Sequence, residues 1–65
     1  MMWYEVEPEF WAYATRDGEI KAHIEPSGHN YFTLAYRGRL DAKWEYRQFL
    51  RISDAKKCAE EQVQE

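Results

Sequence analysis

Alternating apolar and polar positions predict two β-strands in the first half of the chain. Ile20, Ala22 and Ile24 alternate with polar residues, which is the pattern of a strand with one buried face. Upstream, the run Phe10–Thr15 is rich in aromatic residues and has high β propensity. The two runs are joined through Asp17-Gly18, a pair favoured in type I′ turns. We therefore predict a β-hairpin that turns at Asp17-Gly18.

Two further strands are predicted after this hairpin. The turn-forming residues Pro26–Asn30 end the second strand, and Tyr31–Tyr36 then resumes with high β propensity. The segment Trp44–Arg51 alternates as well and predicts a fourth strand. The residues before Pro8 form either a short edge strand or an N-terminal arm, because proline separates them from the strand that starts near Phe10.

The register of the fourth strand has two interpretations. In the first, Trp44, Tyr46 and Gln48 face the core, which leaves Phe49 exposed among charged residues. In the second, a bulge near Gln48 turns Phe49 inward. The alternation by itself leaves both interpretations open.

A helix is predicted over residues 53–64. The hydroxyl of Ser53 can accept a hydrogen bond from a free amide of the first turn, and Asp54 suits the positive end of the helix dipole. Small and apolar residues then recur at helical spacing, namely Ala55, Cys58, Ala59, Gln62 and Val63. The expected architecture is therefore α+β: an antiparallel sheet of three to four strands over residues 9–51, in the order β-β-β-β-α, with one C-terminal helix packed on one face.

Length and composition fit one small domain spanning residues 1–65. The chain has 65 residues, of which 45% are hydrophobic and 17% aromatic, so it can bury one thin core but no deep cleft between lobes. Cys58 stands alone, which excludes the disulfide framework typical of small secreted domains. No apolar run approaches the roughly 20 residues of a membrane helix, and no signal peptide is recognisable. A cytoplasmic protein without membrane contact is expected.

The charge of −3 is unevenly distributed. Residues 37–57 hold seven basic and three acidic residues, hence +4, whereas residues 1–36 hold two basic and six acidic residues, hence −4. Arginine close to tyrosine or tryptophan is typical of binding hot spots, and it also supplies phosphate contacts and stacking surfaces in nucleic-acid binders. The candidate partner-binding residues, here called the basic strip, are Arg37, Arg39, Lys43, Trp44, Tyr46, Arg47 and Arg51.

No catalytic constellation is evident. A cysteine nucleophile needs a neighbouring base, and the sequence does not place His23 or His29 beside Cys58. These three residues also lack the paired short spacings of a zinc site. We therefore expect no catalytic residues, no metal site and no cofactor, and a protein that is not an enzyme.

The layout of most of the chain resembles small accessory proteins encoded by bacteriophages and mobile elements. It is also similar to the three-stranded sheet plus helix of AP2 and integrase arm-binding domains, in which the sheet enters a DNA groove. The segments that carry the likeness are the aromatic strand, Asp17-Gly18, Ala22-His23-Ile24, Tyr31-Phe32, Arg47-Gln48-Phe49-Leu50 and Ser53-Asp54-Ala55-Lys56. The phage resemblance implies a protein that binds a host or defence complex and blocks it.

Three hypotheses follow for the function. The first is a non-enzymatic interaction protein that binds and inhibits or redirects a host or defence macromolecular complex through the basic strip. The second is a small nucleic-acid-binding domain that uses the same residues, with steep salt dependence. The third is a structural domain that forms a homodimer through an exposed edge strand.

Overall fold

The fold is a five-stranded antiparallel sheet with one helix, as a computed structural model describes it for residues 1–38 and 43–63. The strands are neighbours in chain order, and each pairs with the next. The predicted α+β class and C-terminal helix are confirmed. The elements are β1 (Met2–Glu7), β2 (Phe10–Ala14), β3 (Ile20–Pro26), β4 (Phe32–Tyr36), β5 (Glu45–Phe49) and α1 (Ile52–Gln62).

The prediction of three to four strands was one too few, because the N-terminal segment is an edge strand rather than an arm. Trp3 lies opposite Tyr13 in the β1–β2 ladder, and their rings stack at 4.4 Å between centroids. Aromatic pairs on adjacent strands stabilise sheet formation. This contact extends the sheet beyond the hairpin that begins at Phe10.

The β2–β3 hairpin is confirmed, but its turn is not type I′. The connection is a loop over residues 15–19, in which the amide of Gly18 donates to the carbonyl of Thr15 at 3.1 Å. Gly18 has a φ of 92°, whereas Asp17 does not have a positive φ. A type I′ turn needs positive φ at both central residues. In this longer loop only Gly18 has positive φ, which glycine adopts without steric cost.

The first interpretation of the β5 register was wrong, whereas the second was right that Phe49 faces the core and wrong that a bulge turns it inward. The β4–β5 ladder runs without a shift from Tyr36 opposite Glu45 to Phe32 opposite Phe49. In this regular register Phe49 packs against the core, and Tyr46 lies on the other face with 68% of its surface exposed. No bulge is needed, because α1 covers the face to which Phe49 belongs.

Helix α1 begins one residue earlier than predicted. Its N-cap is Arg51, in extended conformation and without a side-chain capping bond, so Ser53 lies inside the first turn. Ile52 packs against the core. The helix therefore begins at Ile52, because most helical stability in proteins comes from tertiary packing. Of the predicted stripe, Ala55, Cys58, Ala59 and Val63 are buried and Gln62 is exposed.

The core lies between α1 and strands β3 and β4. Ala55 and Ala59 are fully buried against a sheet surface made by Ala22, Ile24, Leu34 and Tyr36. Alanine on both the helix and the sheet lets the two backbones approach closely, and the branched side chains fill the remaining volume.

Aromatic residues cover the side of α1 that faces β1 and β2. The ammonium of Lys56 lies 3.3 Å from the ring centroid of Trp11 and 5.6 Å from that of Trp3. The indole nitrogen of Trp3 donates to the Glu60 carboxylate at 2.9 Å. These contacts connect two consecutive turns of α1 to β1 and β2, the two strands that the helix does not cover.

Truncation of a core leucine should destabilise the protein far more than truncation of an exposed one. Leu34→Ala removes a fully buried side chain, and we expect a loss of about 2 to 5 kcal/mol in the free energy of unfolding. Leu50→Ala makes the same chemical change at a residue 74% exposed, with an expected effect within about 0.5 kcal/mol. Chemical denaturation of both variants measures the difference, and equal losses would contradict the assigned core.

The cation–π contact of Lys56 should contribute measurably to stability. Lys56→Gln removes the charge between the two tryptophan rings, and we expect a loss of about 1 kcal/mol. The matched control is Lys57→Gln, since Lys57 is exposed on the same helical turn. Denaturant titration compares the two, and an unchanged midpoint for Lys56→Gln would show that the contact is energetically silent.

The β2–β3 loop should carry a carboxylate of lowered pKa. The Thr15 hydroxyl, which donates to the Asp17 carboxylate, and then the backbone amide of Asp17 hold the pKa of that carboxyl below its usual 3.8. A lowered folded-state pKa gives stability that is present above about pH 3.8 and is lost as the pH falls through the folded-state pKa. Thr15→Val should return the Asp17 pKa towards 3.8 in a carboxylate NMR titration, and identical titration curves would refute this account.

Candidate interaction surface

The residues of the basic strip divide between the two faces of the sheet. Arg37, Trp44 and Tyr46 lie on the face away from α1, and Lys43 is exposed just before β5. Arg47 lies on the helix side, with its guanidinium 5.9 Å from the Tyr36 ring centroid and its Nη1 3.8 Å from the Cys58 sulfur. Arg51 is exposed at the start of α1, and Arg39 falls outside the described residues. The strip is therefore not one continuous surface.

Part of the basic strip does form a cluster. The guanidinium of Arg37 lies 5.2 Å from the ring centroid of Trp44, and the His23 ring lies 5.4 Å from the same tryptophan at a tilt of 46°. Since β4 lies between β3 and β5, the His23 and Trp44 rings meet above it. They cover Ala35, which is fully buried although no helix packs on this side.

One face of the sheet has no covering element among the described residues. We call it the open face, and alternation along the paired strands defines it as the side opposite Trp3, Tyr13, Leu34 and Phe49. Its residues are Met2, Tyr4, Phe10, Ala12, Ala14, Ile20, Lys21, His23, Glu25, Thr33, Ala35, Arg37, Trp44, Tyr46 and Gln48.

Exposed apolar side chains are concentrated on the open face. Within residues 1–38 and 43–63, seven large hydrophobic residues are exposed, and five of them belong to this face, including Met2 at 61% and Tyr46 at 68%. A sixth, Val6, lines a depression on the same surface, whereas Leu50 lies after β5. Single exposed apolar residues are ordinary on protein surfaces, but a contiguous group marks a contact surface.

A groove runs along β2 in this face, and we call it the alanine groove. Its floor is Ala12 and Ala14, both buried, and its walls are Met2 and Tyr4 on β1 and Ile20 and His23 on β3. Ile20 stands in the wall because the β2–β3 register shifts after Tyr13, which places Ile20 rather than Lys21 opposite Ala14. An apolar depression of about 270 Å³ adjoins Ala12, Ile20 and His23 and extends to Val6, Phe10 and Glu25.

The two ends of the open face carry opposite charge. Glu7, opposite Phe10 in the ladder, and Glu25 lie at the end near the β1–β2 turn. Arg37 and Lys43 follow β4 and precede β5 at the other end. Lys21, two residues before His23 on β3, is the charged residue nearest to the centre of the face; it is buried, and its ammonium lies 2.7 Å from the Glu19 carboxylate. The exposed surface around Ala12 and His23 is otherwise apolar.

Only a weak signal for the alanine groove is present in the sequence. The run Phe10–Ala14 is apolar at every position, which is the pattern of a strand buried on both faces. One of these faces meets the α1 side, and the other forms the groove floor. The apolar run does not indicate whether Trp11 and Tyr13 or Phe10, Ala12 and Ala14 face the helix.

No catalytic or metal-binding geometry was found in the described residues. Cys58 lies on the α1 side of the sheet and His23 on the open face, so the sheet separates them. His29 lies in the β3–β4 turn, beside a shallow depression of about 490 Å³ that also contacts Tyr31 and Leu50. Across residues 1–38 and 43–63 no group of three histidine, cysteine or acidic residues is arranged to hold a metal ion.

The one described helix is too short and too polar to cross a membrane. Comparison of the chain with protein family models, with curated proteins and with solved structures finds no match.

Proposed function

We propose that this chain is a non-enzymatic interaction protein that binds a protein partner through its open face. The observation that carries the proposal is the concentration of exposed apolar side chains on the side of the sheet opposite α1. Burial of the apolar area that these side chains still expose is favourable by roughly 25 cal/mol per Å². Exposed patches of this kind recur at protein interfaces.

The charge distribution favours a protein partner over a nucleic acid at the centre of the open face. Nucleic-acid binding depends largely on lysine and arginine contacts to phosphate. Around Ala12 and Ala14 the groove walls are Met2, Tyr4, Ile20 and His23, and the nearest acidic groups at its end, Glu7 and Glu25, would repel phosphate. From the resemblance of the sequence layout to phage accessory proteins we propose a host or defence complex as the partner, which binding would inhibit or redirect.

A second candidate function belongs to the corner formed by Arg37, Trp44 and Tyr46. The stacked Arg37 and Trp44 with an exposed Tyr46 offer a cation for phosphate and ring faces for bases, which is the combination that single-stranded nucleic-acid binders use. We propose this corner as the contact surface if nucleic acid is the partner.

Affinity capture with matched variants tests the first proposal. The tagged chain, its Ile20→Glu variant and its Leu50→Glu variant are each used to capture partners from bacterial lysate, with and without nuclease. Both positions are exposed and apolar, but only Ile20 belongs to the open face. We expect a stoichiometric protein, resistant to nuclease, with wild type and Leu50→Glu and at least a tenfold loss with Ile20→Glu, since a buried unpaired charge at an interface costs several kcal/mol.

Three results would count against this proposal. Equal capture by Ile20→Glu would move the contact surface elsewhere. Recovery of nucleic acid alone, lost on nuclease treatment and steeply dependent on salt, would favour the Arg37 corner instead. Recovery of nothing but the chain itself, together with a concentration-dependent mass in sedimentation, would favour self-association.

A further inference from the structure

The outer edge of β5 has the properties of a strand-pairing site. Strand β5 ends the sheet on one side, and within residues 1–38 and 43–63 no element lies beyond it. Residues 45–48 are all exposed. An uncovered edge strand offers a row of unpaired amides and carbonyls to another strand. We propose that β5 pairs in antiparallel orientation with β5 of a second copy of this chain, so that the two sheets join into one of ten strands.

The hydrogen-bond pattern of the sheet identifies the free backbone groups of β5. The amide of Arg37 donates to the carbonyl of Lys21 at 2.9 Å, so these two residues are a hydrogen-bonded pair of the β3–β4 ladder. Backbone groups of successive residues point to opposite sides of a strand, so Tyr36 bonds instead to its ladder partner on β5. The residues of β5 that alternate with this partner, Tyr46 and Gln48, therefore direct their amides and carbonyls away from β4. No hydrogen bond within the described part of the chain uses these groups.

Charge selects one register for the pair. When Tyr46 lies on the two-fold axis, it exchanges both backbone hydrogen bonds with Tyr46 of the second copy, and Glu45 of each copy lies directly opposite Arg47 of the other. These charged residues then form non-hydrogen-bonded pairs, in which the facing side chains are closest. Opposite charges directly across two strands stabilise the pairing, and like charges oppose it. A shift of the axis to Arg47 or to Glu45 places two equal charges opposite each other, so β5 is self-complementary in the Tyr46 register.

Both charged side chains are available for this contact. Glu45 and Arg47 are exposed, and two residues apart on one strand they share the α1 side of the sheet. No ion pair of Glu45 is present among the described residues. The guanidinium of Arg47 is held on this side by Tyr36 and by the weakly accepting sulfur of Cys58. A guanidinium has five N–H donors, so Arg47 retains donors for a carboxylate.

The two helices leave room for the pairing. A two-fold axis perpendicular to the sheet places both helices on the same face of the joined sheet. Helix α1 packs chiefly on β4, and β4 of the second copy lies three strand spacings away, about 14.4 Å. A helix with its side chains is about 10 to 12 Å across, so the two helices lie side by side. The contact of Glu60 with Trp3 on β1 also leads the later turns of α1 away from the β5 edge.

The opposite edge of the sheet is less suited to self-pairing. The β1–β2 register shifts between Glu5 and Glu7, and irregularities of this kind interrupt an edge strand. Strand β1 also contains acidic residues but no basic one, so no register of β1 with itself gives a pair of opposite charges. The ladder of β5 runs without a shift, and β5 carries one acidic and one basic residue. The second copy is therefore assigned to β5.

This inference goes beyond the proposed function, because it uses a surface other than the open face. In the joined sheet the two open faces lie next to each other on the side opposite the helices, and both stay accessible to a partner. A partner with repeated binding sites could then contact both copies at once.

Sedimentation analysis of the full chain with exchanged charges tests the pairing. Glu45→Arg and Arg47→Glu each place like charges at both contacts, and Lys57→Glu is an equal charge reversal at an exposed position of α1. We expect wild type and Lys57→Glu to dimerise with half-association below about 1 mM, since one strand pair is a small interface. Each β5 variant alone should dimerise at least tenfold more weakly. An equimolar mixture of the two variants should dimerise like wild type, because both contacts then join opposite charges.

Hydrogen exchange followed by NMR locates the contact. The amides of Tyr46 and Gln48 should gain protection as the protein concentration rises through the range of dimerisation, whereas the amide of Glu5 on the opposite edge should not. Ile20→Glu, on the open face, should leave dimerisation unchanged.

Four results would overturn the inference. A chain that stays monomeric up to about 2 mM rejects self-pairing but leaves capture of a protein through the open face intact. A mixture of Glu45→Arg and Arg47→Glu that associates no better than either variant rejects the Tyr46 register. Dimerisation that is lost in Ile20→Glu and kept in Arg47→Glu assigns the second copy to the open face. Protection of the Tyr46 amide only in the presence of a captured protein assigns the β5 edge to a strand of that partner.

Discussion

The close contact of α1 with β3 and β4 is the constraint on which the rest of the structure depends. Fully buried alanines on the helix lie against Ala22 and its neighbours, so helix and sheet approach to a short distance. One helix about 10 Å wide covers strands β3 to β5 of a sheet that spans five. The large aromatic residues of β1 and β2 occupy the remaining width on that side, and Lys56 and Glu60 connect them to the helix. A chain of 65 residues has no second helix for the opposite face within its described part.

This arrangement explains why apolar surface remains exposed on the open face. Small domains bury a smaller fraction of their surface than large ones do. Here the available aromatic and branched residues are divided between a core under α1 and a second face that only side chains cover. His23 and Trp44 bury Ala35, and Ala12 and Ala14 are buried as well, but Met2, Tyr4 and Ile20 beside them stay exposed. A partner element that packs on these exposed side chains would add a third layer to the sheet, as helices do on both faces of many sheets.

The division of the basic strip shows how a charge pattern along the chain separates in three dimensions. Consecutive residues of a strand point to opposite faces, so Tyr46 and Arg47 cannot belong to one flat surface. Arg47 reaches the α1 side, where it contacts Cys58 and Tyr36. Arg37 instead joins Trp44 at the end of the open face. The basic end and the acidic end of this face arise from strand ends that are far apart in sequence.

The sequence by itself determined the α+β class, the β2–β3 hairpin, the third and fourth predicted strands and the C-terminal helix, because alternation at period two and helical spacing are local properties. It also determined most of the buried stripe of α1. Only the tertiary structure decided which face of β5 meets the helix, since Trp44–Phe49 is apolar or amphipathic on both sides and the outcome depends on where α1 packs. It likewise decided that residues 2–7 join the sheet, through the Trp3–Tyr13 contact, and that Ile20 faces the groove, through a register shift. The alanine groove exists only when three strands lie side by side, and that juxtaposition is a property of the folded sheet rather than of any one segment.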